Sequence, residues 1–241
     1  ALPLIMEMYN EPLAHWKGTH AQLVEYARAV RKGLKSVDPN FQLGGPCLYS
    51  IRIGDLNNLA KAGLFDQLDC IVMHAYVDGT PPEDAFFERI VQLNDLLKQY
   101  GQQEKKVYLT EFGWTASEGT WQPHVDRWTQ ARYAARSLAL GWSQGIDGMA
   151  YFVLQYKTKN TGEAAFSLID EQGRPQPGYV AFSGVSRWFA ASTPIGHYQL
   201  TPTVHMVMGH RDGKLQMALW DTAGVSKIQL PFQITDAADM F

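Results

Sequence analysis

The feature that most constrains this chain is an alternation. Five times in succession a short apolar run is followed by a stretch whose apolar residues recur with helical period. Leu2–Tyr9 reads as a buried strand, and Thr19–Lys35 as a helix capped by Thr19, with Leu23, Tyr26, Ala27, Val30 and Leu34 on one face. Gln42–Leu48 reads as the second strand, followed by a short helix over Leu56–Ala62. Cys70–Val77 is the third, with Pro81-Pro82 opening a helix that runs to Tyr100. Lys106–Thr110 precedes a long helix over Val125–Gln144, and Met149–Leu154 precedes a last one over Gly178–Ala190. Strands alternating with helices imply right-handed crossovers and a parallel sheet with helices outside it.

The pattern changes from Thr193 onward. Val204–Met208, Leu215–Trp220 and Ser226–Leu230 are short strand-like runs separated by turn signals such as Arg211-Asp212-Gly213. The expectation is therefore an α/β domain over residues 1–192 and a small antiparallel β appendage over 193–241.

Composition narrows the function classes. The 241 residues are 46% hydrophobic, enough to bury a sizeable core, and the formal net charge is −3 with no basic run. Nucleic-acid binding and electrostatic attachment to a membrane surface therefore lack a footprint. No apolar window reaches transmembrane length, and no basic leader precedes the apolar start. Cys47 and Cys70 form no CxxC pair and read as buried thiols in strands, with one disulfide as the alternative. His15, His20 and His124 share no helical face with acidic ligands, so no metal site is expected. There is no GxGxxG, phosphate loop or GxSxG elbow, and no cofactor is expected.

In a parallel α/β array, function gathers where strands end. Two strand ends carry a carboxylate: Met8-Tyr9-Asn10-Glu11-Pro12 and Leu109-Thr110-Glu111-Phe112-Gly113-Trp114. A lone glutamate in such a place is commonly a helix cap or a surface ion pair. Two on one rim suit glycoside hydrolysis, in which one acid protonates a leaving oxygen while the other attacks the anomeric carbon or activates water. Mutual repulsion can hold one pKa near neutrality while the other stays low.

These segments resemble the two catalytic segments of clan A glycoside hydrolases, where Asn-Glu ends the fourth strand of a (β/α)8 barrel and a second Glu ends the seventh. Glu11 and Glu111 are likewise three strands apart. His74-Ala75-Tyr76 resembles the clan's sixth-strand motif. Gly44-Gly45-Pro46, Phe166–Asp170 with Arg174-Pro175, and the β-rich tail resemble family 39 in particular. The resemblance implies a partial TIM-type barrel of about five β/α units that begins at the fourth strand, the first three being absent. It implies Glu11 as general acid/base, Glu111 as nucleophile of a retaining mechanism, Asn10 on the sugar 2-hydroxyl, and Tyr76 hydrogen-bonded to Glu111 to keep it ionised and aimed. His74 would line the same subsite.

Trp16, Trp114 and Trp121 follow strand ends, where an indole can stack on a sugar ring or simply pack a loop. Trp128, Trp142 and Trp188 fall in helices and are expected in the core, and Trp220 is expected to be structural. The clan often has a tryptophan at the eighth strand end, where this chain has Tyr151, Phe152, Gln155 and Tyr156. The expected partner is a carbohydrate substrate with a β-linkage, and family resemblance favours an extracellular or periplasmic location. An open barrel exposes sheet edges that a homodimer would cover. The competing reading is a non-catalytic, carbohydrate-binding remnant of such an enzyme.

Overall fold

The computed structural model describes residues 4–117, 122–157 and 162–239. The chain divides into two compact units, one formed by the chain up to Trp114 together with Ile146–Phe152, the other by Thr115–Gly145 together with the chain from Val153 onward.

In the first unit the expected alternation is present as β1 (Ile5–Glu7), α1 (Pro12–His15), α2 (His20–Val37), β2 (Gln42–Pro46), α3 (Ile53–Lys61), β3 (Cys70–His74), α4 (Phe87–Gln99) and β4 (Val107–Phe112). After the intervening α5 (Arg127–Ser143), which belongs to the second unit, β5 (Gly148–Tyr151) completes the sheet. The five strands are all parallel and lie in chain order, β1-β2-β3-β4-β5, as a curled half-barrel. Local chemistry sets the ends of these elements. Thr19 Oγ1 accepts from the Gln22 amide while the Gln22 side chain accepts from the Thr19 amide, a reciprocal cap that starts α2. Leu23, Val24 and Ala27 then point into the core. Proline opens the helical turn Pro82–Phe86 ahead of α4, as Pro81-Pro82 led one to expect.

β3 is buried along its whole length, the pattern of a strand covered on both faces, whereas β4 alternates buried and half-buried residues. Close packing leaves no room for a side chain at the two glycines of β2. A Cβ on Gly44 would stand 2.4 Å from Cγ2 of Val72, and one on Gly45 would stand 2.7 Å from Sδ of Met8. Cys47 and Cys70 are both buried free thiols packed with Val72, so the disulfide alternative falls away.

The second unit holds α5, α6 (Pro177–Phe189) and an antiparallel sheet of β6 (Thr193–Gln199), β7 (Val204–Arg211) and β8 (Lys214–Asp221), ordered β6-β7-β8. Asp126 caps α5 by accepting from the amides of Trp128 and Thr129. β7 and β8 are joined by Asp212-Gly213, both at positive φ, the mirror-image turn that suits hairpin twist.

Two expectations about this unit are corrected. Ser226–Leu230 is not a strand, and with Val225 fully exposed the segment lacks the cross-strand packing that would hold one. The third strand is instead β6, whose Pro194 and Gly196 obscure it in the sequence. As an edge strand it tolerates proline, and Gly196 lies at a register shift with φ 155°. Trp128 is 53% exposed rather than in the core, whereas Trp142 stacks on Phe189 with ring centroids 4.1 Å apart.

Candidate active site

Glu11 follows β1 and carries φ 46° and ψ 59°, a left-handed conformation uncommon for a residue with a Cβ. Two local features hold it there. Its amide donates to the carbonyl of Cys47 at 3.1 Å, and Pro12 begins α1 directly behind it. Glu111 lies near the end of β4, with His74 at the end of β3 as its cross-strand partner, and the register shifts between Met73 and His74. That irregularity re-aims the two side chains at the strand ends, as bulges commonly do beside functional sites.

The imidazole of His74 joins the two glutamates. It is fully buried, with Nδ1 at 2.9 Å from Glu11 Oε1 and 3.5 Å from Glu111 Oε2. One oxygen of each glutamate and a ring nitrogen of His74 all lie within 4.8 Å of one another. The hydroxyl of Tyr76, a residue only 2% exposed, donates to Glu111 Oε2 at 2.9 Å. Tyr76 in turn stacks on Tyr49 with centroids 5.0 Å apart and meets the edge of Phe152 at 6.3 Å. The Tyr49 hydroxyl donates to Asp78. Arg89 holds the backbone beneath, donating to the Tyr76 carbonyl and to Ser50 Oγ.

Burial alone would strip a proton from His74, but Glu11, Glu7 and Glu111 outweigh it and push its pKa up to about 9. Burial raises Glu111 above the ordinary carboxylate range, and the neighbouring carboxylates add to that. The imidazole and the Tyr76 hydroxyl act in the opposite direction. Tyr76 itself is driven well above a free phenol by burial and by Glu111, so it remains a donor. The distances among Glu11, His74 and Glu111 would admit a cation. A doubly protonated imidazole has no lone pair to offer one.

The structure thus brings together Glu11, His74, Tyr76 and Glu111. Asn10 is exposed beside Glu11. Trp16 belongs to an aromatic group with Tyr9 and Tyr26, and its Nε1 donates to the Thr19 carbonyl at 3.2 Å. Trp114 is 1% exposed. Its ring leans on Phe86 and its Nε1 donates to the Thr80 carbonyl, so packing, not an open stacking face, describes it. Trp121 lies outside the described residues. Two participants escaped the sequence reading, Glu7 and Tyr49. Glu7 had a signal, being a carboxylate inside an otherwise apolar strand. Tyr49 had none, since nothing local says that a loop tyrosine will stack on Tyr76.

No protein-family model matches the chain. In sequence it is similar to a beta-xylosidase of Geobacillus stearothermophilus, 24% identical over 247 residues that cover 90% of this chain and 46% of that protein. In structure it is similar to a family 39 glycoside hydrolase of Bacteroides cellulosilyticus WH2, with a TM-score of 0.76 and 19% identity over 95% of this chain and 50% of that one. The fold is that of the family 39 glycoside hydrolases. A family 39 beta-xylosidase of Caulobacter crescentus is also similar, with a TM-score of 0.56 and 17% identity over 84% of this chain and 47% of that one. The chain spans about half the length of these relatives. Among the described residues no helix is long and apolar enough to cross a membrane.

Proposed function

We propose that this chain carries the catalytic carboxylates of a retaining glycoside hydrolase acting on a β-linked glycoside or polysaccharide, with Glu11 as acid/base and Glu111 as nucleophile. The observation that carries the reading is the approach of the two glutamates, an oxygen of each lying within 4.8 Å of the other. Double displacement requires carboxyl groups about 5–5.5 Å apart, whereas an inverting enzyme leaves about 6.5–9.5 Å for a water.

The roles divide by hydrogen bonding. Tyr76 donates to Glu111, which favours the ionised form that a nucleophile needs. Glu11 Oε1 faces His74 Nδ1, and in the proposed role Oε2 carries the proton. In the first step Glu111 attacks the anomeric carbon as Glu11 gives its proton to the departing oxygen, forming a glycosyl ester. In the second, Glu11 takes a proton from water, which attacks the same carbon and releases Glu111. Asn10, exposed beside Glu11, would bond the sugar 2-hydroxyl.

Two relatives are named beta-xylosidases, so an aryl β-xyloside is the first probe. Incubation with an activated 2-deoxy-2-fluoro-β-xyloside, followed by peptide mass mapping, should place a covalent sugar on Glu111. An adduct on any other residue, or turnover that survives Glu111→Gln, would refute the assignment. Sugar binding without turnover or adduct would instead make the chain a carbohydrate-binding unit.

A further inference from the structure

Glu7 stands at the end of β1, four residues before Glu11, with Oε2 at 3.8 Å from Nε2 of His74. That nitrogen is buried and makes no hydrogen bond among the described residues, and the carboxylate of Glu7 is the charged group that faces it. The opposite nitrogen, Nδ1, faces Glu11 at 2.9 Å and Glu111 at 3.5 Å. A neutral imidazole must turn one lone pair outward. If Nδ1 keeps the proton, the Nε2 lone pair faces the Glu7 carboxylate. If Nε2 keeps it, the Nδ1 lone pair faces Glu11 and Glu111. Only the doubly protonated ring presents a donor to carboxylates on both sides.

We propose that Glu7 is a positioning residue for the hydrolytic site: it holds His74 as a cation, so that Nδ1–H stays aimed at Glu11 through both halves of the reaction. The inference rests on the retaining reading above. In that scheme Glu11 alternates between acid and carboxylate. When Glu11 is protonated, it no longer supplies a full negative charge to His74. Glu7, on the far nitrogen, still does. The imidazolium therefore persists, and the Glu11 carboxylate formed by proton transfer meets a donor already in place, which lowers the cost of that transfer.

The other groups around the ring fit this division. Tyr76 meets the imidazole edge-on at 6.4 Å and gives its proton to Glu111 rather than to His74. The Cys47 thiol faces Glu7, and burial keeps it protonated, so it adds no charge. Glu7 is held below the ordinary carboxylate range, chiefly by His74 and further by Thr110 and Cys47, with burial opposing. Glu7 thus remains an anion over the range in which a glycosidase would work.

The test reads the ring directly, without substrate. Nitrogen-15 shifts of labelled histidine, with the His74 signal assigned by its loss in His74→Gln, report whether each ring nitrogen carries a proton. In the unaltered chain both nitrogens should be protonated at pH 7, and titration should centre near pH 9. Glu7→Gln removes one opposite charge in contact and should lower that midpoint by about 1–3 units. Glu7→Asp keeps the charge and should leave the ring protonated at pH 7. The alkaline limb of kcat/KM for the aryl β-xyloside should follow the midpoint downward in Glu7→Gln. A neutral His74 at pH 7 in the unaltered chain overturns the proposal with no variant needed. So does an unmoved midpoint in a folded Glu7→Gln. Absence of hydrolysis with the ring titration as expected counts against the glycosidase reading and not against the charge relation.

Discussion

Replacing Tyr76 by Phe isolates one oxygen at the heart of the site. The bond it removes is 2.9 Å long, its acceptor is a carboxylate, and its donor is 2% exposed, so solvent does not take its place freely. A hydrogen bond to a charged group contributes about 1.5–3 kcal/mol. At 1.36 kcal/mol per unit, that is a further rise of about 1–2 units in the Glu111 pKa. His74 Nδ1 remains at 3.5 Å from the same oxygen and compensates in part, which places the expectation toward the lower value. The ring stays, and with it the stack on Tyr49, so the fold should be little changed. If Glu111 is the nucleophile proposed above it must be ionised, hence the acid limb of kcat/KM should move upward by about 1–2 units, with activity on that limb falling about 10–100-fold. The assay is a pH–rate profile on an aryl β-xyloside, paired with thermal melts to exclude unfolding. An acid limb that does not move, in a variant of unchanged stability, would refute the claim that Tyr76 biases Glu111 toward its carboxylate.

Glu11→Ala should cost about 10²–10⁴-fold in kcat on substrates with poor leaving groups, and much less where the leaving group needs no proton, a difference read from paired aryl glycosides. Gly44→Ala should lower stability by about 1–3 kcal/mol, because the new Cβ meets the stiff side chain of Val72 at 2.4 Å; chemical denaturation measures it. Asp69 accepts from Arg31 at 2.7 and 3.1 Å and from the Leu43 amide at 3.0 Å, which together hold its pKa down against burial. Its folded pKa lies below its unfolded one, so its stabilisation is present above about pH 4 and fades as pH falls through the lowered value. Asp69→Asn should flatten that acid loss in melts. His197 is pulled down to about 4 by burial and by His205. Between about pH 6.5 and 4 the unfolded chain takes up a proton that the folded one refuses, so roughly 1–3 kcal/mol should be lost over that window, and His197→Phe should remove the slope.

What the sequence made legible were the features that repeat or that act locally. Alternating apolar runs gave the parallel sheet, Thr19 gave the start of α2, and Asp212-Gly213 gave the hairpin of the second unit. Glu11 and Glu111 stood out only as a pair, since a single strand-end carboxylate is commonly a cap or an ion pair, and the structure places the two together around His74. The losses came where the deciding partner is distant in the chain. Trp114 follows a strand end in the same way as a sugar-stacking residue would, and only the approach of Phe86 and of the Thr80 carbonyl reveals a packed ring. Ser226–Leu230 has the composition of a strand but pairs with no strand among the described residues, whereas Thr193–Gln199 lacks the composition and has β7 beside it. Periodicity reports which face of an element is apolar and is silent about what covers it.

The same distinction explains why the site could form at all. β3 and β4 are neighbours, so the His74–Glu111 pairing follows from register. β1 and β3 are not; β2 runs between them, and adjacent strands are about 4.8 Å apart. Glu11 must therefore reach His74 across the end of β2. Gly44-Gly45-Pro46 keeps side chains small there, the Cys47 carbonyl anchors the Glu11 amide, and the left-handed turn at Glu11 sends its carboxylate over the gap. The Gly-Gly-Pro segment, which looks like a sheet-packing feature, is thus a condition for the carboxylate pair. Gly44→Ala should accordingly impair hydrolysis by more than its loss of stability accounts for, since displacing β2 moves the strand across which Glu11 and His74 meet.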